Sequence, residues 1–270
     1  MTKCKICNED SKPIFKAEVL YKYDVDYFQC TNCQFIQTEE PFWLEEAYSS
    51  AITDLDLGYV TRNVLFSEII TKILKHAFDR KASFLDYGGG YGMFVRLMRD
   101  KGFDFYREDK YCENLFSNYF DVSNLENHKK FEVLTAFEVF EHLDDPIAEI
   151  ENMMNYSDSI LFSTEIQPDI TFSCSDDWWY ISPEIGQHIS LFTRKSLSLL
   201  ASKYGFHFYS SRNNIHLITK KKFRFNPLTY PIYSSLIFDK IFGRNFSNPK
   251  SLLMKDYEKV KKILAIDKKD

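Results

Sequence analysis

Four glycines within five residues separate a short apolar strand from a helix. The segment Asp86-Tyr-Gly88-Gly-Gly90-Tyr-Gly92 follows the apolar stretch 82–87 and precedes a predicted helix over 93–101. Glycine allows the backbone to turn sharply and a ligand to approach it, and the N-terminus of a helix offers free N–H groups. A dinucleotide-binding loop has the spacing G-x-G-x-x-G, but here the last position is Met93. The loop therefore predicts a ligand without a pyrophosphate.

An acidic residue at the end of the second strand complements this loop. In nucleotide-binding α/β folds such an acid, about 20 residues after the glycines, accepts hydrogen bonds from a ribose diol. The second predicted strand covers 103–108, and Asp109 follows it. Glu108 is adjacent but points to the opposite side of a strand, so we assign the role to Asp109. Loop and acid together predict a nucleoside ligand.

Strands and helices alternate through the middle of the chain, which predicts a parallel sheet covered on both faces. A weak element is expected near 119–122. The predicted strands are 82–87, 103–108, 132–137 and 159–164, and the helices between and after them are 93–101, 144–156 and 193–204. Two further strands, 206–211 and 215–220, flank Arg212-Asn213-Asn214, a sequence typical of a tight hairpin. The predicted fold class is α/β with an antiparallel hairpin at its end.

Three segments resemble the class I S-adenosylmethionine-dependent methyltransferases. They are Phe84 to Gly92, Asp109, and the stretch from Phe131 to Pro146 with its sequence Glu138-Val-Phe-Glu141-His142. The resemblance extends over about residues 60–220. It implies a Rossmann-like, mostly parallel seven-stranded sheet with an antiparallel terminal hairpin, and it implies S-adenosylmethionine as cofactor. The implied cofactor-binding residues are Asp86, Gly88, Gly90, Gly92, Asp109, Phe137 and Glu138, with Asp121 and Val122 beside the adenine.

Four cysteines near the N-terminus form two C-x2-C pairs. Cys4 and Cys7 make the first pair, and Cys30 and Cys33 make the second. Two such pairs can present four thiolates to one tetrahedral ion, and a closed four-sulfur site is typical of structural zinc. The alternative is that these cysteines are buried or redox-active. A segment of about 35 residues cannot build its own core, so a metal ion is the expected support.

A cysteine-rich module before such a domain resembles bacterial methyltransferases that act on nucleotide-linked sugars. That group has a histidine in the loop after the fifth strand, and His188 stands there in this chain. The acid and tyrosine that precede this histidine in sugar C-methyltransferases are replaced by Gln187 and Ile185, so O-methylation is at least as plausible as C-methylation. We expect His188 to be the catalytic base, assisted by Glu184. The candidate substrate-contacting residues are Glu141, His142, Trp179, Tyr180 and Gln187.

Charge is distributed unevenly along the chain. Residues 221–270 carry a net charge of +7, which leaves −12 on residues 1–220. An acidic body disfavours nucleic-acid binding, because phosphates require clustered positive charge. The basic C-terminal residues are expected to dock on the core or on a second copy of the chain, which would make a homodimer. Contact with a membrane surface is a less favoured alternative.

The predicted domain organisation has four parts. A zinc-binding module covers 1–40, a helical connector or lid 41–78, the methyltransferase domain 79–220 and a basic helical extension 221–270. The N-terminal residues lack the apolar stretch of a secretory signal, so a cytoplasmic location is expected. Methyl transfer to a sugar or nucleotide-linked sugar, in a surface-polysaccharide or secondary-metabolite pathway, is the predicted function. The alternatives are an RNA methyltransferase and a non-catalytic adaptor that retains the fold.

Overall fold

The computed structural model describes residues 2–48, 55–126, 130–212, 214–229 and 249–266. Asn213 of the predicted hairpin turn lies outside these ranges, as do residues 230–248 and 267–270 of the predicted C-terminal extension. The chain divides into two compact units. The first comprises Met1–Leu57 and Ala136–Arg224, and the second comprises Gly58–Thr135 and Phe225–Asp270. None of the described helices is long and apolar enough to span a bilayer.

Eleven strands and six α-helices are numbered here in chain order within the described residues. The strands are β1 (Thr2–Lys3), β2 (Asp10–Val19), β3 (Tyr23–Cys30), β4 (Ile36–Thr38), β5 (Ser83–Tyr87), β6 (Asp104–Glu108), β7 (Val133–Ala136), β8 (Ser159–Ser163), β9 (Ser190–Leu191), β10 (His207–Ser210) and β11 (Ile215–Thr219). The helices are α1 (Leu44–Ala47), α2 (Tyr59–Ala77), α3 (Met93–Asp100), α4 (Pro146–Tyr156), α5 (Arg194–Lys203) and α6 (Leu253–Ile266).

The first unit contains an antiparallel sheet with the order β1-β2-β3-β4-β9. Along β2, the side chains of Phe15, Ala17 and Val19 are buried while those of Lys16 and Glu18 are exposed. This alternation is what a strand with one covered face requires. The last strand, β9, comes from a distant part of the chain and pairs with β4.

Aromatic residues build the core beneath this sheet. The ring of Phe15 stacks on that of Tyr27 with centroids 4.7 Å apart, and the indole N–H of Trp43 donates to the carbonyl oxygen of Gly186 at 2.8 Å. Tyr180 and Ile181 belong to the same buried cluster. The N-terminal strands therefore share one core with the long loop that follows β8.

The second sheet has the order β10-β11-β8-β7-β5-β6. Strand β5 is parallel to both β6 and β7, whereas β11 is antiparallel to both β10 and β8. The predicted α/β fold with a terminal antiparallel hairpin is thus confirmed, but the sheet has six strands among the described residues where seven were expected. The weak element expected near 119–122 is present as an isolated parallel bridge between Arg107 and Asp121.

Helices of the second unit are anchored by a buried ion pair. Arg99 of α3 donates to both carboxylate oxygens of Asp256 in α6, at 2.9 and 2.8 Å, and also to Asp104 at 2.7 Å. The two side chains of the Arg99–Asp256 pair are almost completely buried, and Asp256 also pairs with Arg96 at 3.0 Å, so these charges compensate one another away from solvent. Helix α6, which belongs to the predicted C-terminal extension, is therefore fixed to α3.

Candidate active site

The glycine loop joins β5 to α3 in the second unit. Gly90 and Gly92 both have positive φ angles, of 54° and 84°, which side chains with a Cβ atom rarely adopt. A Cβ at Gly92 would lie 2.3 Å from Oγ of Ser117 and 2.8 Å from Oδ1 of Asn114. The positive φ angle thus favours glycine at both positions. At Gly92 there is also no room for a Cβ atom.

Asp109 is linked directly to this loop. Its Oδ2 accepts the Gly90 N–H at 2.8 Å, and its Oδ1 accepts the N–H groups of Tyr111 and Cys112 at 2.8 and 2.7 Å. Glu108 differs, because its carbonyl oxygen accepts the Gly88 N–H at 2.9 Å and burial raises the pKa of its side chain. Of the two acids, Asp109 is the one whose carboxylate contacts the loop.

Arg107 supports the loop, and sequence reasoning did not identify it. Its Nε donates to Oδ1 of Asp121 at 2.7 Å, its guanidinium donates to the carbonyl oxygen of Cys112 at 3.1 Å, and it also donates to the carbonyl oxygen of Gly90. Arg107 shares the buried register of β6 with Phe105. The sequence did contain a signal for this role, because Arg107 stands at an inward-facing position of the predicted strand. A charged side chain is almost never buried unless another group pairs with it.

Asp121 and Val122, expected beside the adenine, lie in the second unit close to Arg107. Oδ2 of Asp121 accepts a hydrogen bond from Asn114 at 2.8 Å, so both carboxylate oxygens have protein partners. Val122 is buried and begins a short 3₁₀ turn. The assignment of these two residues to the adenine stays a prediction.

Asp86 is a buried acid at the end of β5. The Thr135 hydroxyl donates to its Oδ1 at 2.7 Å. Burial raises the pKa of Asp86 to about 7, and the charge of Asp109 adds to this, while the Thr135 hydrogen bond and Arg107 oppose it. A cationic ligand nearby would stabilise the charged form of this buried carboxylate.

In the first unit, Phe137 and Glu138 follow β7. Glu138 adopts a positive φ of 54°, a strained conformation for a residue with a side chain. The Glu138 N–H donates to Oγ of Ser163 at 2.8 Å, and the Ser163 hydroxyl donates back to Oε1 of Glu138 at 2.6 Å. The Ser163 side chain therefore binds both the backbone N–H and the carboxylate of Glu138.

Glu141 and His142 lie on the 3₁₀ turn Phe140–His142. Glu141 is fully buried, and neither of its carboxylate oxygens has a hydrogen-bond partner among the described residues. Burial raises the pKa of Glu141 and the charge of Glu138 raises it further, whereas the hydroxyls of Tyr180 and Thr164, which lie outside hydrogen-bonding geometry with its oxygens, oppose this rise. The Tyr48 hydroxyl is 2.9 Å from Nδ1 of His142.

His188 is held by the backbone of Tyr180. Its Nδ1 lies 2.5 Å from the carbonyl oxygen of Tyr180; because a carbonyl can only accept, Nδ1 carries the proton and Nε2 carries the lone pair. Burial lowers the pKa of His188 to about 4, so the ring is neutral at ordinary pH. Ligand atoms of Glu141, His142 and His188 all lie within 4.8 Å of one another.

The remaining predicted residues of the long loop have different surroundings. Trp179 is 70% exposed, while Tyr180 is buried. The side-chain amide of Gln187 is buried and donates to the carbonyl oxygen of Ala47 at 2.8 Å. Burial raises the pKa of Tyr27, and the charge of Glu184 adds to this rise. The structure thus shows Gln187 fastening the loop, and it shows Tyr180 as the residue that orients His188.

The four N-terminal cysteines converge in the first unit. Sγ of Cys4 is 3.6 Å from that of Cys33, and Sγ of Cys7 is 3.5 Å from that of Cys30 and 3.6 Å from that of Cys33. Four thiolates bound to a tetrahedral zinc ion at about 2.3 Å stand about 3.8 Å apart. Backbone N–H groups of Ile6 and Asn32 also point at the sulfurs. The four residues fit a zinc ion in number, distance and chemistry.

An α/β sheet with a glycine loop, and an acid bound to that loop, is typical of proteins that bind a nucleoside-type ligand at the carboxyl ends of their strands. The family model described as "Methyltransferase domain" matches residues 61–211. The chain belongs to this family, and the prediction of a methyltransferase domain is confirmed. No curated protein matches the sequence.

Several solved structures of methyltransferases are similar to this chain. The plantazolicin methyltransferase BpumL in complex with SAH is 15% identical over 65% of this chain and 94% of that chain, with a TM-score of 0.42. CalO1, a methyltransferase in calicheamicin biosynthesis, is 14% identical over 66% and 61%, with a TM-score of 0.43. Human N-acetylserotonin methyltransferase in complex with SAM is 13% identical over 67% and 66%, with a TM-score of 0.39.

Proposed function

We propose that this protein transfers the methyl group of S-adenosylmethionine to a hydroxyl of a sugar or nucleotide-linked sugar, in a surface-polysaccharide or secondary-metabolite pathway. The observation that carries the proposal is the state of His188. Its Nδ1–H is bound to the Tyr180 carbonyl oxygen, so the lone pair of a neutral imidazole is available on Nε2. A sugar hydroxyl is a poor nucleophile until its proton is removed, and this lone pair can accept the proton.

Residues of the second unit hold the cofactor in this proposal. The glycine loop, Asp109 and the buried Asp86 are its principal contacts, and a cofactor with a positively charged sulfonium group suits the raised pKa of Asp86. The bound cofactor supplies the methyl group. Because charge disappears during methyl transfer, the protein contributes mainly by aligning the reacting atoms and excluding water.

Residues of the first unit receive the acceptor. The exposed indole of Trp179 packs edge to face on Tyr180, with centroids 5.4 Å apart, and an aromatic face suits the apolar side of a sugar ring. His142 supplies a polar group for the acceptor hydroxyls, and Glu184 stays a candidate contact, while Phe137 and Glu138 remain proposed contacts of the cofactor. Oxygen is favoured over carbon as the methylated atom, because Gln187 and Ile185 replace the acid and tyrosine expected for C-methylation.

Zinc has a structural role in this proposal. A closed site of four thiolates leaves no open position for a substrate. The ion would fasten the two C-x2-C turns, Cys4 to Cys7 and Cys30 to Cys33, to each other. This linkage supports the antiparallel sheet of the first unit.

The experiment measures release of S-adenosylhomocysteine from the wild-type protein with a panel of nucleotide-linked sugars. His188→Ala should retain cofactor affinity and lose about 10²–10⁴-fold in turnover, the usual contribution of a positioned base. His207→Ala, a histidine on β10, is the matched control and should keep wild-type turnover.

Three results would contradict the proposal. No cofactor binding by calorimetry would favour the adaptor alternative. Tight RNA binding with a steep salt dependence would favour the RNA methyltransferase. Near-normal turnover of His188→Ala would remove this residue from the mechanism.

A further inference from the structure

Glu141, His142 and His188 form a cluster of one carboxylate and two imidazoles in the first unit. Their ligand atoms lie within 4.8 Å of one another. Ligands on opposite sides of an ion with bond lengths of about 2.1 Å are about 4.2 Å apart, so side-chain movements of about 1 Å or less bring all three onto one ion. The four cysteines belong to a separate group.

The state of Glu141 is an independent sign that this cluster binds something. Its side chain is fully buried, and its two oxygens lack hydrogen-bond partners among the described residues. A buried carboxylate without a partner is costly, and native proteins satisfy almost all such groups. No cationic side chain in the described part of the chain pairs with it, and the neighbouring Glu138 adds negative charge. A bound cation would give the Glu141 oxygens a partner and would offset the negative charge of Glu141 and Glu138.

Both histidine rings have the outer partners that metal ligands usually have. A metal-bound imidazole commonly donates its second N–H to a carbonyl or another polar group, which fixes the ring and directs the lone pair at the ion. The Tyr180 carbonyl oxygen does this for His188 at 2.5 Å. The Tyr48 hydroxyl restrains the His142 ring at 2.9 Å.

We propose that Glu141, His142 and His188 bind a divalent first-row transition-metal ion, and that this ion activates the acceptor hydroxyl. Two imidazoles and one carboxylate suit manganese, iron, cobalt or zinc, whereas magnesium and calcium prefer oxygen ligands only. Three protein ligands leave coordination positions open for an oxygen of the acceptor. The role of the ion rests on the proposed function, but its binding does not.

The acceptor hydroxyl binds the ion, which lowers its pKa, and its proton passes to water. The oxygen then forms the O–CH₃ bond as the S–CH₃ bond breaks, and the electron pair of that bond neutralises the sulfonium. With the ion bound, Nε2 of His188 is a ligand, so water replaces the imidazole as the proton acceptor.

Manganese is the probe that distinguishes this site from the cysteines, because thiolates select softer ions. The zinc-loaded full chain is titrated with Mn²⁺, and the signal of free Mn²⁺ is followed by electron paramagnetic resonance. We expect the wild type to bind one equivalent. Glu141→Gln, which has nearly the same shape, should bind at least about 10–100-fold more weakly, since even changes to outer partners cost that much. His207→Gln should bind like the wild type.

A thermal-unfolding series checks that the variants fold. Mn²⁺ should raise the Tm of the wild type, because a ligand that binds only the folded state stabilises it, and it should leave the Tm of Glu141→Gln unchanged. If Glu141→Gln fails to fold, His188→Gln replaces it with the same expected result. Absence of Mn²⁺ binding to the wild type, or equal binding by the ligand variants, would overturn the site.

Activity separates this inference from the proposed function. Methyl transfer that persists after chelation, with the cysteine-bound zinc retained, would reject the role of the ion while the proposed function stands. Mn²⁺ binding that depends on Glu141, without methylation of any sugar acceptor, would support the site and contradict the proposed substrate. Loss of methyl transfer on chelation and its recovery with Mn²⁺ would support the metal site and the sugar acceptor, with water instead of the His188 imidazole as the proton acceptor.

Discussion

Asp109 uses both carboxylate oxygens on backbone N–H groups, one of them at Gly90 in the glycine loop. The residue type at this position followed from the motif, because an acid at a strand end suits a ribose diol. The protein partners of the site residues did not follow from the motif: the Thr135 hydroxyl bonds to Asp86, and the Tyr48 hydroxyl lies beside His142, because packing brings distant segments together. At the scale of single residues, the sequence predicts the chemical type of a side chain better than it predicts which residues that side chain contacts.

Replacing Asp109 tests the assignment of the ribose-binding acid. Asp109→Ala removes a charged hydrogen-bond acceptor, whose loss typically costs about 1.5–3 kcal/mol. Affinity for S-adenosylmethionine, measured by calorimetry, should therefore fall about 10–100-fold. Glu108→Ala is the matched control and should bind normally. Normal binding by Asp109→Ala together with weak binding by Glu108→Ala would reverse the assignment.

At the scale of elements, the cysteine turns and the histidine loop belong to one sheet. Strand β9, two residues after His188, pairs with β4 at Ile36 and Leu191. The Thr193 hydroxyl donates to the carbonyl oxygen of Cys33 at 2.8 Å. The two C-x2-C pairs were evident from their spacing, but the pairing of β4 with a segment about 150 residues away has no local signal.

This pairing leads to a prediction for the zinc site. Cys30→Ser should abolish one equivalent of bound zinc, which metal analysis measures, because three thiolates no longer close the site. Methyl transfer should also fall, since the sheet that carries the His188 loop loses its support, while cofactor affinity stays normal. Cys174→Ser, at an exposed free cysteine, should change neither. Equal zinc content in the two variants would disprove the site.

At the scale of the whole molecule, stability should depend on pH through Asp86. Its folded-state pKa of about 7 lies above the unfolded value of about 3.9, so the folded state binds this proton more tightly. The stabilisation is complete below about pH 4 and is lost as pH rises through about 7, at a rate of at most about 1.4 kcal/mol per pH unit.

Asp86→Asn isolates this dependence. Asparagine can still accept the Thr135 hydrogen bond and carries no charge at any of these pH values. The free energy of unfolding of the wild type, measured by urea denaturation, should therefore fall relative to that of Asp86→Asn between about pH 4 and pH 7. Parallel curves for the two proteins over this window would show that the Asp86 pKa is not raised.

Local chemistry in the chain was enough to predict the glycine loop, the strand–helix alternation, the terminal hairpin and the paired cysteine turns. Each depends on residues within one or two elements, where backbone preference and side-chain periodicity act directly. Tertiary packing alone brought Glu141 within reach of His188, placed Arg107 beneath the loop and added β9 to the N-terminal sheet. These contacts join segments far apart in the chain, and burial of a shared core, rather than any local preference, determines them.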